Sequence, residues 1–282
     1  MRSLLFLIPL FLLFACSTKQ KGEAVKETTP LVNFWDTLRV DSASLKMAEV
    51  EQSFANFVAL LGRDGDSTHI ANAVTSLLQK SCDEGSLTQV MELADHYLYD
   101  PNSPLLNEDL YLPFLEAYLT MPNIGEAEEE RTRFTISRIH DNRPGTLPPD
   151  FGFVMRDGFT TTLRNYSQSM AHTLVVFYDP ECENCKGVIE MMKEDEHLNR
   201  AIEQGNLRVL AVYAEGDTAV WKHTSSYIPS NWRDVCVEEE PEKVLDEYNV
   251  RARPTLYLIA PDGRISLKDA QPEKLLQFLR HH

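Results

Sequence analysis

The sequence predicts two units of different class, an all-α domain followed by an α/β domain built on a central mixed sheet flanked by helices. Three observations carry this expectation. Over 31–140 apolar residues recur at three- and four-residue steps, as in Phe54, Phe57, Val58 and Leu61 and again in Leu87, Val90, Met91 and Ala94, which is the spacing of one helix face. At 143–150 three prolines and a glycine interrupt that pattern. Beyond them strand-like and helix-like segments alternate, the order expected of a sheet with helices packed on it. A chain of 282 residues with 43% hydrophobic content can fill two cores of ordinary size.

In the first unit, turn-forming clusters at 62–66, 83–86, 100–104 and 121–123 divide the pattern into about five helices. Ser67 and Ser86 stand where a side-chain oxygen can accept from the first unpaired helix amides, so both are expected as N-caps. Trp35, Tyr97, Tyr99 and Tyr111 fall at helical spacing and are expected in the core rather than on a binding surface. In the second unit, 151–155 and 174–178 read as strands, the latter a continuous apolar run suited to a strand buried on both faces. Ile189 and Met192 set a helix, 207–213 is a second buried strand, and 235–237 around Cys236 reads as another. Helices are expected over 219–227 and around 244–248. Pro261-Asp262-Gly263 joins strands 255–260 and 264–267 as a hairpin, and 272–280 closes the chain as an amphipathic helix with Pro272 in its first turn.

The formal charge of −16, from 43 acidic against 27 basic residues, repels phosphate backbones and argues against nucleic acid as a partner. Met1-Arg2-Ser3 followed by an apolar run over 4–14 has the layout of a secretory signal and is too short to span a bilayer. Leu13-Phe14-Ala15-Cys16 resembles a bacterial lipobox, in which cleavage before Cys16 leaves its thiol to carry a diacylglyceryl group, although Phe14 departs from the usual residue. The expected organisation is a signal over 1–15, a flexible tether over 16–30, the helical domain over 31–141 and the α/β domain over 142–282. The expected location is the envelope of a Gram-negative-type bacterium. Ser17 after the lipidated position favours the outer membrane, facing the periplasm.

Cys182 and Cys185 lie two residues apart, after a buried strand and at the start of a helix, where a small-loop disulfide can form and reopen. Cys182 sits near the positive end of the helix dipole and is the expected nucleophile; Cys185, one turn in, is the resolving thiol. Haem attachment needs His after the second Cys, where this chain has Lys186, and peroxiredoxin-type chemistry needs Thr where it has Asp179. Zinc has only one close Cys pair to use, with Cys236 and His223 far along the chain, so neither metal nor cofactor is expected. Cys82 and Cys236 are expected as two inert, semi-buried thiols, the alternative being a disulfide between the domains.

The order strand, Asp179-Pro180-Glu181-Cys182-Glu183-Asn184-Cys185-Lys186, helix, and then Arg253-Pro254-Thr255 leading a strand resembles the thioredoxin superfamily. Together with Pro148-Pro149-Asp150-Phe151 and the long interval from Cys185 to Pro254, the region 144–282 resembles the anchored thiol-disulfide oxidoreductases related to cytochrome-maturation proteins. That resemblance implies dithiol-disulfide exchange on extracytoplasmic protein substrates, with an unidentified electron donor. It also implies a cis Pro254 against the pair, and substrate contacts at Arg253, Pro254 and Thr255. Asn33-Phe34-Trp35-Asp36, Tyr99-Asp100-Pro101-Asn102-Ser103-Pro104 and Asn142-Arg143-Pro144-Gly145 resemble an uncharacterised domain that precedes such modules in bacterial lipoproteins, and imply no activity.

Two departures from thioredoxin matter. Val176 occupies the position of the buried proton-transfer acid, which leaves Glu183 as candidate general base. Asp179, Glu181, Glu183 and Glu190 crowd the pair, opposed by Lys186, and like charge beside a thiolate argues for a reductant rather than an oxidase. The rival expectation is a tethered binding protein in which Cys182–Cys185 is a static disulfide.

Overall fold

The computed structural model describes residues 31–46, 48–224 and 227–281. The expected signal, tether and lipidation site at Cys16 lie outside the described residues. A short 3-10 turn at Ser44–Lys46 leads into five helices, α1 (Ala48–Asp64), α2 (Ser67–Asp83), α3 (Leu87–Leu98), α4 (Glu108–Tyr118) and α5 (Glu126–His140). Their apolar faces meet in one core, where Phe54, Phe57, Leu61, Leu78, Val90, Leu98 and Phe114 are each at most 1% exposed. Burial at that level contributes about 1.5–3 kcal/mol per large side chain. Trp35 and Tyr111 are buried in this core as expected, with Trp35 edge-on to Phe57 at 5.6 Å, while Tyr97 and Tyr99 pack at its margin.

Both expected N-caps need correction. Asp66, one residue earlier than Ser67, caps α2, its Oδ1 accepting from Thr68 N at 2.8 Å and His69 N at 3.1 Å, and Ser67 is the first helical residue. Ser86 does stand at the N-cap position of α3 but makes no cap bond; it is buried, and its one hydroxyl proton goes to the Val40 carbonyl, with the Ser81 carbonyl also within reach at 3.3 Å. A buried hydroxyl takes the carbonyls within reach, and here they pin the segment before α1 to the start of α3.

The second unit comprises β1 (Gly152–Met155), β2 (Thr160–Thr162), α6 (Leu163–Ser167), β3 (His172–Tyr178), α7 (Glu183–Glu194), α8 (Glu196–Glu203) and β4 (Leu207–Tyr213). It continues through α9 (Thr218–Thr224), β5 (Arg233–Cys236), α10 (Pro241–Glu247), β6 (Thr255–Ile259), β7 (Ile265–Leu267) and α11 (Pro272–His281). The strands form one mixed sheet in the order β2-β1-β5-β4-β3-β6-β7. Central β3 runs parallel to β4 and antiparallel to β6, and alternate residues feed two cores: Leu174 and Val176 on the face of α7 and α11, Val175 and Phe177 on the face of Tyr248. Burial on both faces is why β3 and β4 are apolar without alternation. Of the helix expected over 219–227, α9 covers 219–224, while residues 225 and 226 lie outside the described residues; β2, α6 and α8 were not expected.

Beneath the end of β3, the Asp234 carboxylate gathers three side chains. It accepts from Tyr178 Oη at 2.7 Å, Trp221 Nε1 at 2.8 Å and Arg156 Nη2 at 2.7 Å, and Arg156 also lies over the Trp221 ring at 4.4 Å. Cys82, in the helical domain, and Cys236, in β5, are both free thiols, and burial pushes the Cys236 thiol up to about 11. Among the described residues no helix is long and apolar enough to cross a membrane.

The two units are joined by charge as well as by chain. Arg251 lies over the Tyr99 ring at 3.9 Å and pairs with Glu108 at 3.4 Å and Asp269 at 3.1 Å; Lys268 pairs with Glu108 at 2.8 Å. Lys268 Nζ also donates to the last carbonyls of α5, Arg138 at 3.0 Å and Ile139 at 3.1 Å, where the helix dipole favours a cation. Burial raises the Asp269 carboxyl above its usual range, and Arg251 offsets part of that. The connecting segment pairs with the sheet: Gly145 N donates to Ile265 O at 2.8 Å, and Ile265 N to Thr146 O at 2.9 Å.

Candidate redox site

The site forms where β3 ends and the chain turns into α7. Asp179 shapes that turn: its Oδ1 accepts from Glu181 N at 2.8 Å, and its carbonyl accepts from Cys182 N at 3.1 Å. The same carbonyl accepts from Tyr227 Oη at 3.2 Å. Cys182 is the N-cap of α7, and its Sγ accepts from Cys185 N at 3.2 Å, so the sulfur does the work that a Ser or Asp oxygen does elsewhere. The two thiols differ sharply in access, Cys182 being half-buried and Cys185 fully buried.

Burial, and next the hydrogen bond with Cys182, push the Cys185 thiol up to about 12. A thiol raised this far is scarcely ionised at pH 8, and the thiolate is the form that alkylates. Brief iodoacetamide treatment of the reduced protein at pH 8 is therefore expected to alkylate Cys182 and leave Cys185 unmodified, read by peptide mass spectrometry. Labelling of both at similar rates would show that Cys185 is not shielded.

The Arg253-Pro254 peptide bond is cis, as the resemblance implied, and the Arg253 carbonyl lies 3.6 Å from Cys182 Sγ. Asn184 Nδ2 donates to the same carbonyl at 3.3 Å. The Arg253 guanidinium pairs with Glu215. Arg253 and Pro254 thus stand beside the pair. Thr255 is 2% exposed, with its hydroxyl on Ala252 O at 2.7 Å, so its side chain holds the loop from inside.

The carboxylates are less crowded than their order suggests. Glu183 is turned to solvent, its side chain 86% exposed, and pairs with Lys186 at 2.6 Å. Glu190 lies two helical turns from Cys182, about 12 Å along the axis, paired with Lys193 at 3.1 Å. Asp179 is the carboxylate whose charge reaches Cys185. Asn184, Tyr227 and Glu215 were not singled out in the sequence. Asn184 was visible between the cysteines, but nothing local links Tyr227 or Glu215 to a site that the fold brings to them.

A mixed sheet with a Cys-x-x-Cys pair capping a helix opposite a cis-proline loop defines a thioredoxin-like domain. Residues 159–282 match the model of the thioredoxin-like domain, and residues 30–142 match a domain of unknown function, DUF5106. A solved thioredoxin-like protein from Bacteroides caccae is 27% identical, covering 89% of this chain and 91% of its own, with a TM-score of 0.78. The C-terminal domain of an uncharacterised protein from Bacteroides fragilis is 31% identical over 49% of this chain and 98% of its own, with a TM-score of 0.46. The thioredoxin domain of a thiol-disulfide oxidoreductase from Bacteroides vulgatus is 20% identical over 49% of this chain and 96% of its own, with a TM-score of 0.43. No curated protein matches the chain. Fold and family support a general thiol redox role.

Proposed function

We propose that the protein is a thiol-disulfide oxidoreductase that reduces disulfides of extracytoplasmic proteins. The observation that carries this reading is the asymmetry of the pair: an accessible Cys182 at a helix N-terminus, backed by a buried Cys185 whose amide already contacts its sulfur. The Cys182 thiolate attacks a substrate disulfide, forming a mixed disulfide and releasing one substrate thiolate. Cys185 then loses its proton and attacks Cys182 Sγ, releasing the second substrate thiol and leaving a Cys182–Cys185 disulfide. Two electrons pass to the substrate, and an external dithiol returns them. Asp179 is the carboxylate placed to influence the proton on Cys185, while Glu183 is held in solvent by Lys186.

The reducing direction draws on the loop itself. Strong oxidants of this kind owe their power to a reduced thiolate that is heavily stabilised, whereas here the Asp179 carboxylate puts negative charge beside the pair and Lys186 is engaged by Glu183. A signal over 1–15 and a lipid on Cys16 would hold the domain in the cell envelope, with the helical domain between anchor and redox site. The test is trapping in cells with full-length Cys185→Ala, which blocks resolution. Mixed disulfides through Cys182 are expected to accumulate. An empty trap, together with a native pair that resists dithiothreitol, would favour a static disulfide in a binding protein.

A further inference from the structure

The cis-proline loop borders a cleft of about 530 Å³ that is lined at one side by Asn184, which stands between the two cysteines in sequence, and at another by the helical domain. Asn184, Val188 and Met191 of α7 form one side, and Pro254 and Gln271 form another. Pro101 and Asn102, from the loop between α3 and α4, line it as well. Three of these side chains are carboxamides. Asn102, Asn184 and Gln271 each spend one amide hydrogen within the protein, on Asp100 Oδ1, Arg253 O and Pro101 O at 3.2, 3.3 and 3.2 Å. Each retains a carbonyl oxygen and a second amide hydrogen, which together match a peptide group. Val188, Met191 and Pro254 supply apolar surface between them.

The Pro101–Asn102 loop is a fixed wall. Asn102 N is held by Asp100 Oδ1 at 2.8 Å, Ser103 Oγ donates to Tyr97 O at 2.6 Å, and Gln271 ties the Pro101 carbonyl to the start of α11. Arg251 reaches Tyr99, at the base of the loop, through both its ring and its carbonyl. A helical unit serving only as a spacer needs no such joint beside the redox loop.

We infer that the helical domain is part of the substrate site: Pro101 and Asn102 form the outer wall of a groove that takes an extended polypeptide segment flanking the substrate cysteine. This rests on the reading of Cys182–Cys185 as an exchanging pair. The occupant is a polypeptide, not a small thiol, because the three carboxamides that line the cleft can meet successive peptide groups. Polar sequences beside the cysteine suit it better than apolar ones.

The test uses full-length Cys185→Ala carrying a short cysteine peptide in mixed disulfide with Cys182, the peptide bearing a photoreactive benzophenone on either flank of its cysteine. Illumination is expected to crosslink one flank to residues 99–104, and Asn102→Trp, which fills the cleft, is expected to lower that yield about 10-fold, the equivalent of about 1.4 kcal/mol. Thermal unfolding of Asn102→Trp checks that it folds, and Asn102→Lys provides a second obstruction if it does not. Crosslinks confined to residues after 150, in a wild-type protein that reduces insulin, would overturn the wall and leave the redox reading intact. A wild-type protein that cannot reduce insulin would overturn the redox reading, and this inference with it.

Discussion

Cys182→Ser is expected to lower the rate of protein-disulfide reduction by about a thousandfold or more, the scale on which loss of an attacking nucleophile is felt. The loss is chemical rather than structural. A serine hydroxyl at the N-cap of α7 still accepts from the Cys185 amide and is a better cap than a thiol, so the helix start survives. What disappears is the sulfur that forms the mixed disulfide with the substrate. Cys185 cannot substitute, because it is fully buried and its thiol is pushed up to about 12. Insulin reduction with dithiothreitol as donor measures the rate, and the denaturation midpoint should stay near that of the wild type. A variant that keeps its rate within about tenfold would mean that exchange runs through another thiol.

Arg251→Ala is expected to destabilise the full-length protein by about 3 kcal/mol, the low end for breaking a buried ion pair. The Arg251, Glu108 and Asp269 side chains are only 18%, 14% and 14% exposed, so water compensates little when the guanidinium is removed. Two carboxylates are then left facing each other with Lys268 alone to answer them, and the Tyr99 ring loses its cation. Arg251→Lys keeps the charge but not the planar fork that reaches both carboxylates, and should recover only part of the loss. Urea unfolding followed by tryptophan fluorescence is a suitable measurement, since Trp35 lies in the helical core and Trp221 and Trp232 in the other unit. Because the same residues join the units, the transitions should also separate in Arg251→Ala. A loss below about 1 kcal/mol would class the cluster with ordinary surface pairs.

How far the sequence could be read depends on how local each signal is. The strand at 207–213 was legible to the residue because both of its faces are buried, and Pro261-Asp262-Gly263 announced its hairpin because a tight turn restricts residue type. α8 escaped notice because it buries only Leu198, and β2 because three threonines at a sheet edge make no pattern. The capping error at Ser67 was a displacement by one residue between two competent caps. At the site, the cysteine spacing and Arg253-Pro254 were visible, since both are contiguous motifs. The partnership of Arg251 with Glu108 and the approach of Pro101 to Gln271 join residues of different domains, and no periodicity records such contacts. Tyr99 shows the same limit: its helical spacing suggested core, yet its ring serves the joint beneath Arg251.

The pairing of the connecting segment with β7 bears on how the protein behaves at high concentration. A strand at the margin of a sheet presents open amides and carbonyls on which a neighbouring molecule can build, the usual route to edge-to-edge aggregation. At Ile265 both of those groups are already taken, by Thr146 and Gly145 of the same chain. The opposite margin, β2, is three residues long and leads directly into α6. The segment that links the domains thus also covers this edge of the sheet at Ile265, where a copy of the chain could otherwise pair.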